Sequence, residues 1–82
     1  MILNYKTKDL VLATVLKCFC ADKFQGMEQK LSDRGVYEFI FDNDAELIDI
    51  VNKFNRWELL VEPATFASIL RLLKNMLYNA KQ

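Results

Sequence analysis

The chain has 82 residues, 52% of them hydrophobic, and its 11 Lys and Arg residues balance its 11 Asp and Glu residues, so the net charge is zero. This composition excludes a largely disordered chain and argues against a strongly basic nucleic-acid binder. It predicts a single small domain over residues 1–82 that has apolar surface left over for a partner or for a second copy.

The stretch from Thr7 to Cys20 predicts a buried helix around which the other elements are arranged. Between residues 10 and 20 only Thr14 and Lys17 are polar, and a helix that is apolar on nearly every side is normally buried. At 14 residues it is too short to cross a bilayer, so other parts of the protein must cover it. Thr7 is the predicted N-cap, and the segment from Ile2 to Tyr5 is expected to be a short extended lead-in.

A β-hairpin is predicted to follow this helix. Its first strand covers residues 24–34, where the alternation of apolar and polar residues is interrupted at Gly26, as at a β-bulge. A turn is expected at residues 32–35, and a second strand at residues 36–41, which are rich in β-branched and aromatic residues. The aromatic face of that strand, Tyr37, Phe39 and Phe41, is predicted to rest on the first helix.

The second half of the chain predicts two more helices with a short strand between them. Asp42, Asn43 and Asp44 provide capping residues for the second helix, and Pro63 suits the first turn of the third. The alternating segment 57–62 predicts a third strand at the edge of the hairpin. The fold class is therefore α+β, in the order helix, hairpin, helix, short strand, helix, with the helices on one face of a small antiparallel sheet.

Catalytic and metal-binding signatures are not found in the sequence. The chain has no His, and Cys18 and Cys20 point to opposite sides of a helix, so they are expected to be buried, unbonded thiols. The acidic residues Asp42, Asp44 and Glu46 fit helix capping better than a calcium loop, because Leu47 stands where such a loop needs Gly. We therefore expect no enzyme, no cofactor, no metal, no small-molecule substrate and no membrane association. Without a visible targeting peptide, a cytoplasmic protein is expected.

Two groups of residues are candidates for binding. The first consists of large apolar side chains that the predicted core does not use, and it predicts an interface with a protein partner or a second copy: Trp57, Leu60, Leu72 and Tyr78. The second consists of cations on and near the last helix, which could contact nucleic-acid phosphates: Lys6, Lys8, Arg71, Lys74 and Lys81. A plainer alternative for the second group is that Arg71 or Lys74 pairs with Asp49 or Glu58, or complements the helix dipole.

The chain also resembles a family of short, uncharacterised domains found in bacterial genomes, phages and other mobile elements. The resemblance spans nearly the whole sequence and is carried by YKTKDL at residues 5–10, LA at 12–13, Phe24, FIF at 39–41, Leu47, Phe54, VEP at 61–63 and LRLLKNMLY at 70–78. It departs from the family before Phe24, where a Gly is frequent and this chain has Asp22 and Lys23. The resemblance implies a small α+β domain in a mobile-element context, and it brings no activity with it.

The preferred functional hypothesis combines these observations. It is a non-enzymatic protein-interaction module, an accessory protein that binds and modulates, as an inhibitor for example, a protein complex of the host or of the element. The alternative is a nucleic-acid-binding regulator that uses the basic face of the last helix. An exposed, continuous apolar patch would favour the first hypothesis, and a gathered positive surface would favour the second.

Overall fold

A computed structural model describes residues 4–30 and 35–80 of the chain. Over these residues the fold is a three-stranded antiparallel sheet with three α-helices, which confirms the predicted α+β class. The elements in chain order are β1 (Asn4–Thr7), α1 (Leu10–Phe19), β2 (Phe24–Gln29), β3 (Tyr37–Asp42), α2 (Ala45–Asn55) and α3 (Pro63–Ala80), with a 3₁₀ turn at Ala21–Lys23. None of the described helices is long and apolar enough to cross a membrane.

The predicted hairpin forms from β2 and β3. The register shifts between Phe24 and Gly26, so the predicted bulge is confirmed, and Gly26 has the positive φ of 116° that a side chain would oppose. Beyond the strands, the Lys30 amide donates to the Val36 carbonyl at 2.8 Å and continues the ladder. Residues 32–34 of the predicted turn lie outside the described residues, and Gly35 has a φ of 84°.

The third strand is not the predicted segment 57–62 but β1, which pairs with β3 and gives the strand order β1-β3-β2. Both edges of β3 are therefore occupied, by β1 and by β2. Segment 57–62 is a loop instead, in which Leu59 and Val61 are half-buried and line a cavity with Val15, Phe54 and Trp57. The predicted alternation of Trp57, Leu59 and Val61 is right for Leu59 and Val61, which are half-buried, and wrong for Trp57, which is exposed, and the predicted strand pairing is wrong.

The centre of α1 is buried on every side, as predicted. Five consecutive residues, Leu12–Leu16, are inaccessible or nearly so, and five residues in a row span more than one full helical turn. The single polar residue among them, Thr14, donates its hydroxyl to the Leu10 carbonyl at 2.7 Å, which satisfies its buried oxygen. The helix contacts β1, α2 and α3, whereas Val11 and Phe19 near its ends are exposed.

The N-cap of α1 is Asp9, so the prediction of Thr7 was wrong. Thr7 is the last residue of β1, and its hydroxyl accepts the Asp9 amide at 3.1 Å. The Asp9 carboxylate then accepts the amides of Val11 and Leu12 at 3.0 and 3.1 Å. A carboxylate that satisfies two free amides also complements the positive end of the helix dipole, which explains why the helix begins here.

Replacing Asp9 by Ala is expected to lower the free energy of unfolding by about 1 kcal/mol, because two amides of the first turn lose their acceptor. For a domain of this size the midpoint of thermal unfolding should fall by about 4–8 °C. Asp9→Asn is the matched control, since its side-chain oxygen can still accept, and it should keep most of the stability. Equal losses in both variants, measured by circular dichroism, would contradict the capping role.

The inner face of the sheet supplies the other half of the core. Phe39 and Phe41 are buried there among side chains of all three helices, as predicted for the aromatic face of β3. Tyr37 lies on the same face, and its hydroxyl donates to the Ala80 carbonyl at 2.9 Å, which joins the start of β3 to the end of α3. The helices therefore cover one face of the sheet, in agreement with the predicted architecture.

Candidate functional site

Trp57 directly follows the end of α2 and has an unusual backbone conformation. The helix closes with two hydrogen bonds: the Trp57 amide donates to the Phe54 carbonyl at 3.1 Å, and the Glu58 amide donates to the Lys53 carbonyl at 3.0 Å. This pair of bonds is the Schellman motif, which requires a left-handed residue one position past the C-cap. Trp57 occupies that position with a φ of 61°, where Gly is the usual residue.

The side chain of Trp57 is 95% exposed, so packing inside the chain does not compensate for this conformation. A left-handed conformation costs an L-residue roughly 1–2 kcal/mol, and strained residues of this kind are concentrated at functional sites. Leu60, three residues further along the loop, is 92% exposed, and its Cα lies within about 11 Å of that of Trp57. The loop therefore presents two large apolar side chains to solvent.

A groove lies beside Trp57. It has a volume of about 330 Å³ and is lined by Val11 of α1, by Phe54 and Asn55 at the end of α2, and by Trp57 itself. Val11 is 48% exposed. We name this groove together with the exposed side chains of Trp57 and Leu60 the Trp57 surface.

Sequence reasoning found the protruding residues of the Trp57 surface but missed the groove. Val11 and Phe54 were assigned to the buried faces of their helices, where the spacing of apolar residues places them. Their partial exposure follows from where α1 begins and α2 ends relative to the loop, and no local sequence signal marks that arrangement. The left-handed conformation of Trp57 was also missed, since Asn55 and Arg56 give no hint that a Schellman motif will end on a Trp.

Replacing Trp57 by Gly is expected to raise the free energy of unfolding by about 1 kcal/mol, because Gly adopts the left-handed conformation without strain and the indole makes few internal contacts. The greater freedom of Gly in the unfolded chain offsets part of the relief. Trp57→Ala is the matched control: it keeps the Cβ atom and the strain, and its stability should stay within about 0.5 kcal/mol of the parent. A lower melting temperature for Trp57→Gly would mean that the indole holds the loop in place.

The two other residues predicted for protein interaction lie elsewhere. Leu72 and Tyr78 are on α3 and are 48% and 67% exposed. They are six positions apart in the sequence, which places them about 9 Å apart along the helix axis and about 120° apart around it. They therefore do not share one face, and Tyr78 lies about 22 Å along α3 from Pro63, far from the loop that carries Trp57.

Arg71 and Lys74 share one exposed stripe of α3. A shallow groove of about 280 Å³ lies between them and the neighbouring Ala67 and Leu70. Neither cation forms an ion pair with a carboxylate of the described residues. The alternative pairing with Asp49 or Glu58 is not found: Asp49 pairs with Lys53 and Glu58 pairs with Arg56.

The remaining cations of the predicted basic group are dispersed. Lys6 faces the side of the sheet opposite the helices, since its neighbour Tyr5 packs into the core, and it pairs with Glu28 across the sheet. That ion pair raises the pKa of Lys6. Lys8 is exposed in the short connection between β1 and α1, and Lys81 lies outside the described residues. The structure therefore does not place Lys6 beside Arg71 and Lys74.

The acidic residues near the start of α2 serve the fold. Asp44 is the N-cap and accepts the Leu47 amide at 2.9 Å, as predicted, and this bond together with Lys23 lowers the pKa of Asp44. Lys23 bridges Glu46 at 3.0 Å and Asp44 at 3.1 Å, and these two carboxylates raise the pKa of Lys23. Within residues 4–30 and 35–80, no group of three or more potential ligands is arranged to hold a metal ion.

Both cysteines are free thiols, as predicted, but only Cys20 is buried, whereas Cys18 is half-buried. Burial raises the pKa of both thiols, so at neutral pH they are predominantly protonated and weak nucleophiles. The prediction that Cys18 is buried was therefore too strong, because α1 is covered completely only around its middle.

Comparison with known protein families gives one match that spans nearly the whole chain. Residues 3–79 match the domain of unknown function DUF5659. The chain belongs to the DUF5659 family. A search of the curated proteins and a search of the solved structures each gave no match.

Membership of the DUF5659 family agrees with the resemblance to an uncharacterised domain that the sequence suggested. The matched range contains the three strands, α1, α2, all but the last residue of α3, and the Trp57 surface, so the candidate site lies inside the family domain. Because DUF5659 has no assigned function, the role of this surface has to be argued from its own geometry.

Proposed function

We propose that this DUF5659 chain is a non-enzymatic protein-interaction module that binds its partner through the Trp57 surface. The observation that carries the proposal is Trp57 itself: a large aromatic side chain, 95% exposed, held in a left-handed conformation that Gly would adopt more easily. Trp is the residue type most enriched among the energetic centres of protein interfaces. The adjacent groove and Leu60 extend the apolar area around it.

The biological setting is part of the same proposal. The chain acts in the cytoplasm as an accessory protein of a phage or other mobile element and modulates a complex of the host or of the element. The sequence resemblance supports the mobile-element setting. The apolar character of the Trp57 surface supports a protein partner over a small polar substrate, since an apolar interface core surrounded by polar side chains is typical of protein interfaces.

The proposal is tested by capturing partners from a host lysate with tagged protein, with and without nuclease treatment. The parent chain is compared with Trp57→Gly combined with Leu60→Ser, and Tyr78→Ala is the control because it removes an exposed aromatic side chain outside the Trp57 surface. We expect a protein that survives nuclease, binds the parent and the control, and is lost with the double variant. It should bind the parent again when both proteins are purified. Capture by the double variant at parental levels would contradict the proposal.

A second candidate function is nucleic-acid binding through α3. Arg71 and Lys74 are exposed on one stripe beside a shallow groove, and no carboxylate of the described residues neutralises them. Unpaired cations on one helix face can contact successive phosphates, and each such contact makes binding more sensitive to salt.

This second candidate is tested with Arg71→Glu combined with Lys74→Glu, measured against single- and double-stranded DNA and RNA over a range of salt concentrations. Lys53→Glu combined with Arg56→Glu makes the same change in charge at the end of α2 and serves as the control. If only the α3 variant binds more weakly, and its binding constant depends less steeply on salt concentration, α3 is supported as the binding element. An unchanged affinity would contradict nucleic-acid binding through Arg71 and Lys74.

A further inference from the structure

The Trp57 surface carries a protruding side chain and an unfilled groove next to each other. Trp57 lines the groove together with Val11, Phe54 and Asn55, and its side chain is 95% exposed, so the protrusion and the groove belong to one surface. A surface with both features can pair with a second copy of itself, since a two-fold interface needs each protrusion to meet the groove of the other copy. At about 330 Å³ the groove is within the size range of cavities that hold small ligands, which is enough for one indole.

The charges around the Trp57 surface permit this arrangement. Arg56 pairs with Glu58 at 3.1 Å, and Lys53 pairs with Asp49 at 3.1 Å, so the charged side chains beside Trp57 are compensated within their own chain. At these four positions, two copies that meet here do not oppose uncompensated charges of the same sign. The exposed stripe of α3 behaves differently, because its cations have no carboxylate partner among the described residues and would repel their counterparts in a second copy.

The available area indicates how strong such an association is. A Trp side chain contributes up to about 250 Å² of surface, and Trp57 exposes nearly all of its own. With Leu60 and the groove walls, each copy offers a few hundred Å², which is less than the roughly 800 Å² per partner of a standard stable interface. Interfaces of this size belong to weak, reversible complexes.

We infer that a second copy of this chain occupies the Trp57 surface and forms a weak two-fold dimer in which the Trp57 indole of each copy enters the groove of the other. The inference rests on the proposed function, since it takes the Trp57 surface to be a protein-binding surface, and it identifies the occupant when no other partner is present. A dissociation constant weaker than micromolar is expected from the area. A tighter heterologous partner would compete with the second copy for the same surface.

The test is sedimentation of the full chain between about 1 µM and about 1 mM, a range that brackets weak association. We expect the weight-average mass to rise from that of one chain towards that of two. Trp57 is the single Trp of the sequence, so its fluorescence reports on this surface alone. Over the same range its emission should move to shorter wavelength and become less accessible to a soluble quencher. Trp57→Gly should weaken the association at least about tenfold, and Tyr78→Ala should leave it unchanged.

Two outcomes overturn the inference: a single-chain mass at every concentration with the emission of a fully solvated indole, or a dimer that Trp57→Gly forms as readily as the parent. The capture experiment separates this failure from a failure of the proposed function. If the parent chain is monomeric and the Trp57 and Leu60 variant loses a captured partner, the dimer is refuted. The proposal of a protein-interaction module is then still supported. If the dimer requires Trp57 but the captured partner still binds the Trp57 and Leu60 variant, the dimer is supported. The proposal that the Trp57 surface binds a different protein is then refuted.

Discussion

Replacing Phe41 by Ala is expected to remove a large share of the stability of this protein. Phe41 lies in the central strand, paired with Tyr5 of β1 on one side and Phe24 of β2 on the other. Its ring is fully buried, and its centroid is 5.2 Å from that of Phe24 at an angle of 54°. The truncation therefore empties the middle of an aromatic row on the inner face of the sheet. A loss of about 3–5 kcal/mol is expected.

This loss is large compared with the whole stability of the chain. At roughly 0.05–0.15 kcal/mol per residue, an 82-residue domain unfolds with about 4–12 kcal/mol. Ile40→Ala is the matched control, because Ile40 is the next residue of β3, faces the other side of the sheet and is only half-buried. Its loss should be about 1 kcal/mol. Urea unfolding followed by circular dichroism gives the free energy of unfolding of both variants. Equal losses would mean that the sheet face carrying Phe41 is not the one that packs in the core.

Most elements of the fold could be predicted because their signals are local. The hairpin follows from a run of aromatic and β-branched residues and from a Gly at the bulge, the second helix from its Asp44 cap, and the third from Pro63. The order of the strands is not a local property. Segments 4–7 and 57–62 both alternate, and only the three-dimensional arrangement decides which of them reaches the free edge of β3.

The same distinction explains what could be predicted of the candidate site. The apolar excess of the chain marked Trp57, Leu60, Leu72 and Tyr78 as surplus to the core, and all four are exposed. The sequence did not show that Trp57 and Leu60 lie on one loop while Leu72 and Tyr78 lie on different sides of α3. The backbone conformation of Trp57 could not be seen either, since local preference would place Gly at that position. A residue that contradicts local preference is where a sequence argument fails and where function is to be sought.

Replacing Leu73 by Ala is expected to lower the free energy of unfolding by about 2–5 kcal/mol. Leu73 is the one fully buried residue of α3, while the other apolar residues of its inner stripe are half-buried. It joins the core that α1 and the sheet build together, so α3 has a single deep anchor for its 18 residues. Removing this anchor should weaken α3 more than the sheet, because the hairpin keeps its own pairing.

Leu72→Ala is the matched control for this prediction. It removes the same side-chain atoms at the preceding position of α3, where the Leu72 side chain is 48% exposed. Its loss should stay below about 1 kcal/mol, because much of the side chain is already in water. Hydrogen exchange should show that amides of α3 lose protection in Leu73→Ala before amides of β3 do. If the two variants lose equal stability, α3 does not pack through Leu73, and the exposed stripe that carries Arg71 and Lys74 would have to be reassigned.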